Sequence, residues 1–461
     1  MESKTKDGLS ANSSEGSSKG IAEFLKSAAH PARIHVLTML GQGEQEFSLL
    51  IQQTKLSKTA MANHMNRLAQ MGLIQRVARG KYALTVDGKE LLNATATVYL
   101  NSIRREEEQR ETMLNRYTRS MIEGKQLSKK VISKEAVYQP CWLSYTGAMA
   151  GSLQSLGANC DMVDVGGYSG YAFLINVSKG MTCPSGPTAL PTETWAQIHR
   201  GTEKLGWAIE HYEYPDSYPR KEGHPTPEEI EVARKLFEKI KREIDQKDRP
   251  VVLWGLVVPE YGIVNGYEGD SYLTSTFRSL TRQPETPIPF HDLKAPGCID
   301  AFFFRDHFET DAEIMNKETI ERAIRFASAK VPVLSNYVAG PAALYEWANV
   351  LERLPEEKQN YHGNSYVGAC VAEGRAISAE FLRRLAEKSK GQRSEHLLAA
   401  SESYGKGAKL VDEFTKIFPF KFEGDMKLGD RRRGAEILRK AKLFEEEALR
   451  NLRKAAESWE S

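Results

Sequence analysis

No apolar run in this 461-residue sequence approaches the ~18–20 residues that a membrane-crossing helix needs, so a membrane is not an expected partner. Paired cysteines are missing as well. The five present, Cys141, Cys160, Cys183, Cys298 and Cys370, are scattered, odd in number and never spaced as C-x-x-C. That argues against a disulfide framework and a zinc ribbon, leaves metal and cofactor out of the expectation, and fits a reducing cytoplasm. The opening residues, MESKTKDGLSANSSEGSSKG, have no apolar h-region; residues 1–20 read as a flexible tail, not a signal peptide. An excess of either charge is also lacking, since 63 Lys and Arg stand against 61 Asp and Glu, a net +2. Binding to nucleic acid must therefore be argued from local charge.

Length and texture divide the chain. It is too long for one ordinary core. Residues 21–92 alternate short helical patterns with turn signals, and 93–130 read as a charged linker or dimerisation helix, with Val98, Leu100, Ile103, Met113, Leu114, Tyr117 and Met121 as its apolar positions. Residues 131–310 are richer in Gly, aromatic and β-branched residues, with strand-like runs YAFLINV, PVVLWGLVV, YGIVNGY and CIDAFFF. Thr226-Pro227 is a cap-plus-first-turn signal for a helix carrying Ile230, Ala233, Leu236, Ile240 and Ile244 at helical spacing. Residues 311–461 are almost wholly helical in pattern, with Gly and Pro breaks near 340, 355, 391, 419 and 429. The expected class is α+β: an N-terminal winged helix-turn-helix, a linker helix, an α+β core and a C-terminal helical bundle.

The segment FSLLIQQTKLSKTAMANHMNRLAQMGLIQRVARGKYALT carries the strongest signal. Ser48 to Thr54 reads as a short helix, Lys55-Leu56 as a turn, and Ser57 as the N-cap of a second helix. On that helix Met61, Met65 and Leu68 share one face, while Thr59, Asn63, Asn66 and Gln70 share another. His64 and Arg67 stand beside the polar face, and Lys58 opens the helix. Amide, guanidinium and hydroxyl groups in a row are what a major-groove reader needs. LIQRV, the turn ARGK and YALT then form a hairpin bearing Arg76, Arg79 and Lys81, suited to phosphate contacts. Between Phe47 and Val86 there is no Asp or Glu against six Lys and Arg. The expected partner is double-stranded DNA, met by a homodimer on half-sites one turn apart. HPARIHVLTML, the two helices, MGLIQRV and RGKYALT together resemble the winged-helix domain of the ArsR family of bacterial and archaeal repressors. The cysteines that metal-sensing members place on the recognition helix are missing here, so metal sensing is not implied.

YQPCWLSYTGAMAGSLQSLG places Gln139 two residues before Cys141, which opens a helix-compatible run. A helix N-terminus stabilises a thiolate, and a nearby Gln can donate to an oxyanion. With GGYSGYAFLINV, PVVLWGLVVPEYGIVNGYEGD and PIPFHDLKAPGCIDAFFF, and with ALYEWANVLE and YVGACVAEGRAISAEFLRRLAE downstream, this segment resembles the papain-fold group that includes butirosin biosynthesis protein H, an acyltransferase-like family. The resemblance spans roughly residues 135–455. It implies a catalytic His on a strand of the pattern His-Tyr-x-x-Val-x-Gly-Tyr-Asp. Here the strand reads Pro259-Glu260-Tyr261-Gly262-Ile263-Val264-Asn265-Gly266-Tyr267. Neither Glu260 nor Tyr261 replaces an imidazole as base for a cysteine, and His291 or His307 would have to reach Cys141 through the fold. The expectation is a degenerate papain-like domain that senses a small-molecule effector through Cys141, Trp142, Tyr145, Tyr168, Trp254, Glu260, Tyr261 and Tyr267. Three readings follow. The chain is a ligand-responsive transcription regulator; or a cysteine-dependent acyltransferase or amidase, using Cys141 and Gln139, with an appended DNA-binding domain; or an architectural DNA-binding protein with no effector.

Overall fold

A computed structural model of the chain describes residues 15–41, 43–54, 56–100, 128–219, 225–281 and 283–459. The chain forms two compact units, Met1–Gln126 and Leu127–Ser461. Helix and antiparallel sheet are mixed along it.

The first unit opens with helices α1 (Glu15–Ala28) and α2 (Pro31–Gly41). Helix α1 begins inside the stretch expected to be a tail, because Phe24 and Ala28 at its far end join the unit's core and the polar residues before them continue the helical turn. A short strand β1 (Gln45–Glu46), helices α3 (Phe47–Thr54) and α4 (Lys58–Gln70), and strands β2 (Ile74–Ala78) and β3 (Lys81–Leu84) follow. The sheet runs β1-β3-β2, antiparallel throughout. Gly80, at φ 77°, makes the tight β2–β3 turn that a side-chain-bearing residue would resist. The Ser57 hydroxyl accepts from Ala60 N at 3.2 Å and so caps α4. Met61, Met65 and Leu68 are buried with Leu37, Leu40, Leu50 and Leu73. Each such side chain contributes roughly 1.5–3 kcal/mol on burial, so this one face fixes the roll of α4. Helix α5 (Val86–Leu100) starts seven residues before the expected linker helix. The reason is local: Thr85 accepts from Gly88 N, capping the first turn, and Leu91 and Leu92 pack into the core. Of the rest of the expected linker or dimerisation helix, residues 101–127 lie outside the described residues, and its last two positions, 129 and 130, are strand, paired with Glu268 and Tyr267.

In the second unit a single antiparallel sheet organises the core. Its path is β10 (Ile288–Pro289), β9 (Ser271–Ser275), β8 (Tyr261–Glu268), β7 (Val251–Trp254), β11 (Ile299–His307) and β6 (Trp207–Tyr214), with β4 (Lys129–Val131) also paired to β8. Alternation along β11 separates the two faces. Phe302 meets Tyr145 of α6 (Ser144–Ser155) and His199 of α8 (Thr192–Glu203), whereas Phe303 lies under Lys239 of α9 (Pro227–Lys247). Helix α9 carries the Thr226–Glu229 capping box with Pro227 in its first turn. Of the strand-like runs, YAFLINV is mostly something else: Tyr171–Phe173 is a 3-10 turn, tightened behind Gly170 at φ 81°, and only β5 (Asn176–Ser178) is strand, paired with β12 (Tyr337–Ala339). Around the sheet lie α7 (Met162–Ser169), α10 (Ala312–Ala327) and α11 (Pro341–Arg353). Three long helices complete the unit: α12 (Tyr361–Glu387), α13 (Gly391–Ile417) and α14 (Leu428–Glu457). Trp347 of α11 is fully buried and its indole N–H donates to Asn364 at 2.6 Å.

Candidate functional site

Opposite its buried stripe, α4 presents Lys58, Thr59, Asn63, Asn66, Arg67 and Gln70, all exposed. None makes a side-chain hydrogen bond or ion pair among the described residues, so the row is satisfied by water alone. His64 differs. It is half-buried, its ring 4.5 Å from that of His30, and burial together with His30 and Arg33 holds it below the usual histidine range. It therefore stands as a neutral side chain packed on its neighbour.

The hairpin places Arg76 and Arg79 at the surface. Arg76 Nε is drawn back to the Ala78 carbonyl at 3.1 Å. Lys81 forms an ion pair with Glu44 at 2.8 Å, which raises its pKa, and it pairs through the backbone with Glu46 of β1. The acid-free stretch from Phe47 to Val86 thus has two carboxylates beside it in space. Both precede the stretch in sequence, Glu46 on β1 and Glu44 just ahead of it.

In the second unit the eight residues of the expected pocket separate into four places. The first surrounds Cys141, which is 4% exposed. Its thiol donates to the Leu143 carbonyl at 3.2 Å and lies 3.6 Å from Thr146 Oγ1 and 3.7 Å from Tyr138 Oη. Burial, and then the carboxylate of Glu373, push the thiol up to about 12. Glu373 takes the place a thiolate would need: it accepts from Leu143 N at 2.7 Å and from Trp142 N, at the start of α6. The positive end of that helix is answered by a carboxylate from α12, not by sulfur. Gln139 turns to another helix, accepting from Met162 N at 3.0 Å. Glu260 receives the Tyr366 hydroxyl at 2.5 Å and bonds to Ser144, while its second oxygen is buried without a partner among the described residues. Burial lifts Glu260 to about 7 and also raises Glu373. Trp142, half-buried, packs on Phe420 and Tyr366. His291 packs beside Phe290 and His307 beside Trp207, so neither joins this group.

Tyr145, Trp254 and Tyr261 form the second place, on the α6 face of the sheet. Tyr145 Oη lies 3.1 Å from His199 Nδ1 and 2.9 Å from Thr202 Oγ1. Tyr261 donates to Asp300 at 3.0 Å, and the other oxygen of Asp300 is 2.7 Å from His211 Nε2. Trp254 packs at a tilt against Tyr261, ring centres 4.8 Å apart. Burial drives His199 down to about 3, keeping it neutral, and its Nε2 has no partner. Tyr168 and Tyr267 lie elsewhere. Tyr168 packs on Phe381 and donates to Asn316, and Tyr267 sits on the opposite sheet face against Phe237, bonded to Asp245.

Glu373, Tyr366, His199, His211 and Asp300 were not picked out from the sequence. Glu373 alone left a trace: a lone carboxylate in the small and apolar run GACVAEGRAIS. Among the described residues there is no cluster of three or more His, Cys, Asp or Glu side chains able to hold a metal, and no helix is long and apolar enough to cross a membrane.

No protein-family profile matches the chain, and no curated protein matches it. Among solved structures, HlyU from Vibrio cholerae N16961 aligns over 19% of this chain and 100% of its own, at 25% identity and a TM-score of 0.18.

Proposed function

We propose that the chain is a DNA-binding transcription regulator that reads the major groove with α4, touches the backbone with the β2–β3 hairpin, and carries an effector-sensing second unit. The observation that carries this is the exposed row Thr59, Asn63, Asn66 and Gln70, flanked by Lys58 and Arg67, on the face of α4 opposite Met61, Met65 and Leu68. Amides at that spacing pair bidentately with adenine, and guanidinium with guanine. Among the hairpin cations Arg79 is the principal phosphate contact, with Arg76 second. Lys81, already paired to Glu44, contributes least. A module of this size works as a homodimer on two half-sites.

The second unit is read as a papain-like domain that no longer does cysteine chemistry. Support comes from helix α6 lying against an antiparallel sheet, with Ser144 accepting from Tyr261 N at 3.1 Å, and from a thiol held in its protonated form. Nucleophilic attack needs a thiolate, and burial beside the Glu373 carboxylate opposes its formation. Trp142 and Glu260, half-buried above the Cys141 group, are the best placed of the expected residues to meet an effector. The test is selection of duplexes from a random pool by the full chain, followed by fluorescence anisotropy of the enriched sequence. A pseudo-palindromic motif bound at least ~10^3-fold more tightly than unrelated DNA is expected. Recovery of no motif, with equal affinity for all duplexes, would leave only the architectural reading.

A further inference from the structure

A cavity of about 380 Å³ lies between α8 and α10 and has a composition unlike the rest of the unit. Four cations line it, Arg200, Lys204, Arg322 and Arg325, against two carboxylates, Glu203 and Glu318. Both carboxylates are already engaged: Glu318 pairs with Lys204 at 2.7 Å, and Glu203 accepts from Ile209 N at 2.9 Å. Among the described residues no carboxylate lies within ion-pair distance of the three arginines.

Arg322 is the informative one. It is 6% exposed, which an arginine reaches only when something holds its charge. Among the described residues a single hydrogen bond does so, from Nη1 to the Tyr168 carbonyl near the end of α7, at 2.7 Å. Its stem is clamped by Gly170, where an added Cβ would stand 3.0 Å from Arg322 Cγ. The guanidinium is therefore fixed in place before any ligand arrives. Burial, then the neighbouring Arg325, lower its pKa to about 10, so at neutral pH it keeps its charge beside other positive groups. Glu318 and Glu321 oppose this, each less strongly than the arginine ranked beside it, Arg325 or Arg200. Nothing in the fold requires three guanidinium groups on one cavity; packing alone would favour an apolar wall.

We propose that this cavity is a binding site for a phosphate-bearing small molecule, with Arg322 as the buried anchor and Arg200 and Arg325 closing on the anion from the rim. Guanidinium forks match phosphoryl oxygens bidentately, and an excess of two positive charges suits a doubly charged phosphate. The volume is that of a metabolite-sized ligand. The site is separate from the Cys141 group and stands whether or not the chain binds DNA.

The probe is inorganic pyrophosphate, titrated calorimetrically into the full chain at about pH 6, where it is chiefly dianionic, with succinate as a dicarboxylate of similar charge. Saturable binding of one pyrophosphate per chain is expected, tighter than succinate. Arg200→Glu with Arg325→Glu, both at the exposed rim, should weaken it by at least about tenfold while the thermal transition stays in place. Arg322→Gln should weaken it too, and Arg79→Ala, on the DNA-facing hairpin, should leave it unchanged. Absence of saturable heat, or binding indifferent to the double rim variant, overturns the site. Succinate binding as tightly as pyrophosphate overturns its assignment to phosphate.

Discussion

Helix α4 in the first unit and helix α6 in the second both carry polar side chains beside apolar ones, and they treat them in opposite ways. On α4 the amides and hydroxyls are exposed in a row and have no partner among the described residues. Around α6 Tyr138, Tyr145, Ser144, Thr146 and Cys141 are buried and bonded to one another or to groups from distant segments. An exposed polar group costs nothing when water satisfies it, so the α4 row is free for a partner. A buried one must be paired, and a paired network specifies the fold more than it offers a site. Substitution in the two regions should therefore divide cleanly between binding and stability.

The sharpest contrast comes from the second unit's interior. Trp347→Ala empties a fully buried site and strips Asn364 of its donor; it should cost about 3–5 kcal/mol, read as a shift of the urea midpoint. A loss under 1 kcal/mol would mean that the helical layer is far looser than its contacts imply.

Next in size is a pH dependence. Glu260 is raised from 4.5 to about 7 by burial, so the folded state holds the proton more tightly than the unfolded chain. Stability is then full below about 4.5 and falls as pH rises through about 7. The loss is roughly 3–3.5 kcal/mol, since the rise from 4.5 to about 7 spans about 2.5 pKa units and each is worth about 1.4. Glu260→Gln should flatten that slope, leaving the contributions of Glu373 and Glu445, which burial also raises. A variant with an unchanged pH profile would place the carboxylate in a more watery setting.

On α4 the pattern reverses. Arg67→Ala should leave the urea midpoint within about 0.5 kcal/mol of the parent while weakening DNA binding by about 1–3 kcal/mol. If the same variant unfolded the first unit, the exposed row would be structural and the contrast would fail. The smallest effect is at the hairpin: Glu44→Gln releases Lys81, and affinity for any duplex should rise slightly, most visibly at low salt.

How much of this was legible in the sequence follows from range. The first unit is built from local signals: a Ser57 cap, apolar positions at helical spacing and a Gly80 turn, all within one window. Its surprises lie at or beyond the edges of that window: α1 starts inside the expected tail, Glu44 just ahead of β1 pairs with Lys81, and the Thr85 cap starts α5 early. The expected effector pocket, by contrast, depended on where long-range contacts send each ring. Tyr261 and Tyr267 are six residues apart on β8, which in a regular strand puts them on one face. A shift of register between Val264 and Gly266, with Asn265 bonded to both backbone groups of Ala136, sends them to opposite faces. Nor could spacing reveal that Glu373, more than two hundred residues downstream of Cys141, closes the start of α6.

The central claim is that α4 reads bases and the hairpin holds the backbone. It is tested most directly by titrating one enriched duplex and a panel of single base-pair variants with the parent chain, Asn63→Ala and Arg79→Ala, each at several salt concentrations. Asn63→Ala should flatten the preference at one or two base pairs and leave the salt slope unchanged, whereas Arg79→Ala should weaken every duplex alike and reduce the slope by about one ion. Equal, sequence-independent losses from both variants would contradict it.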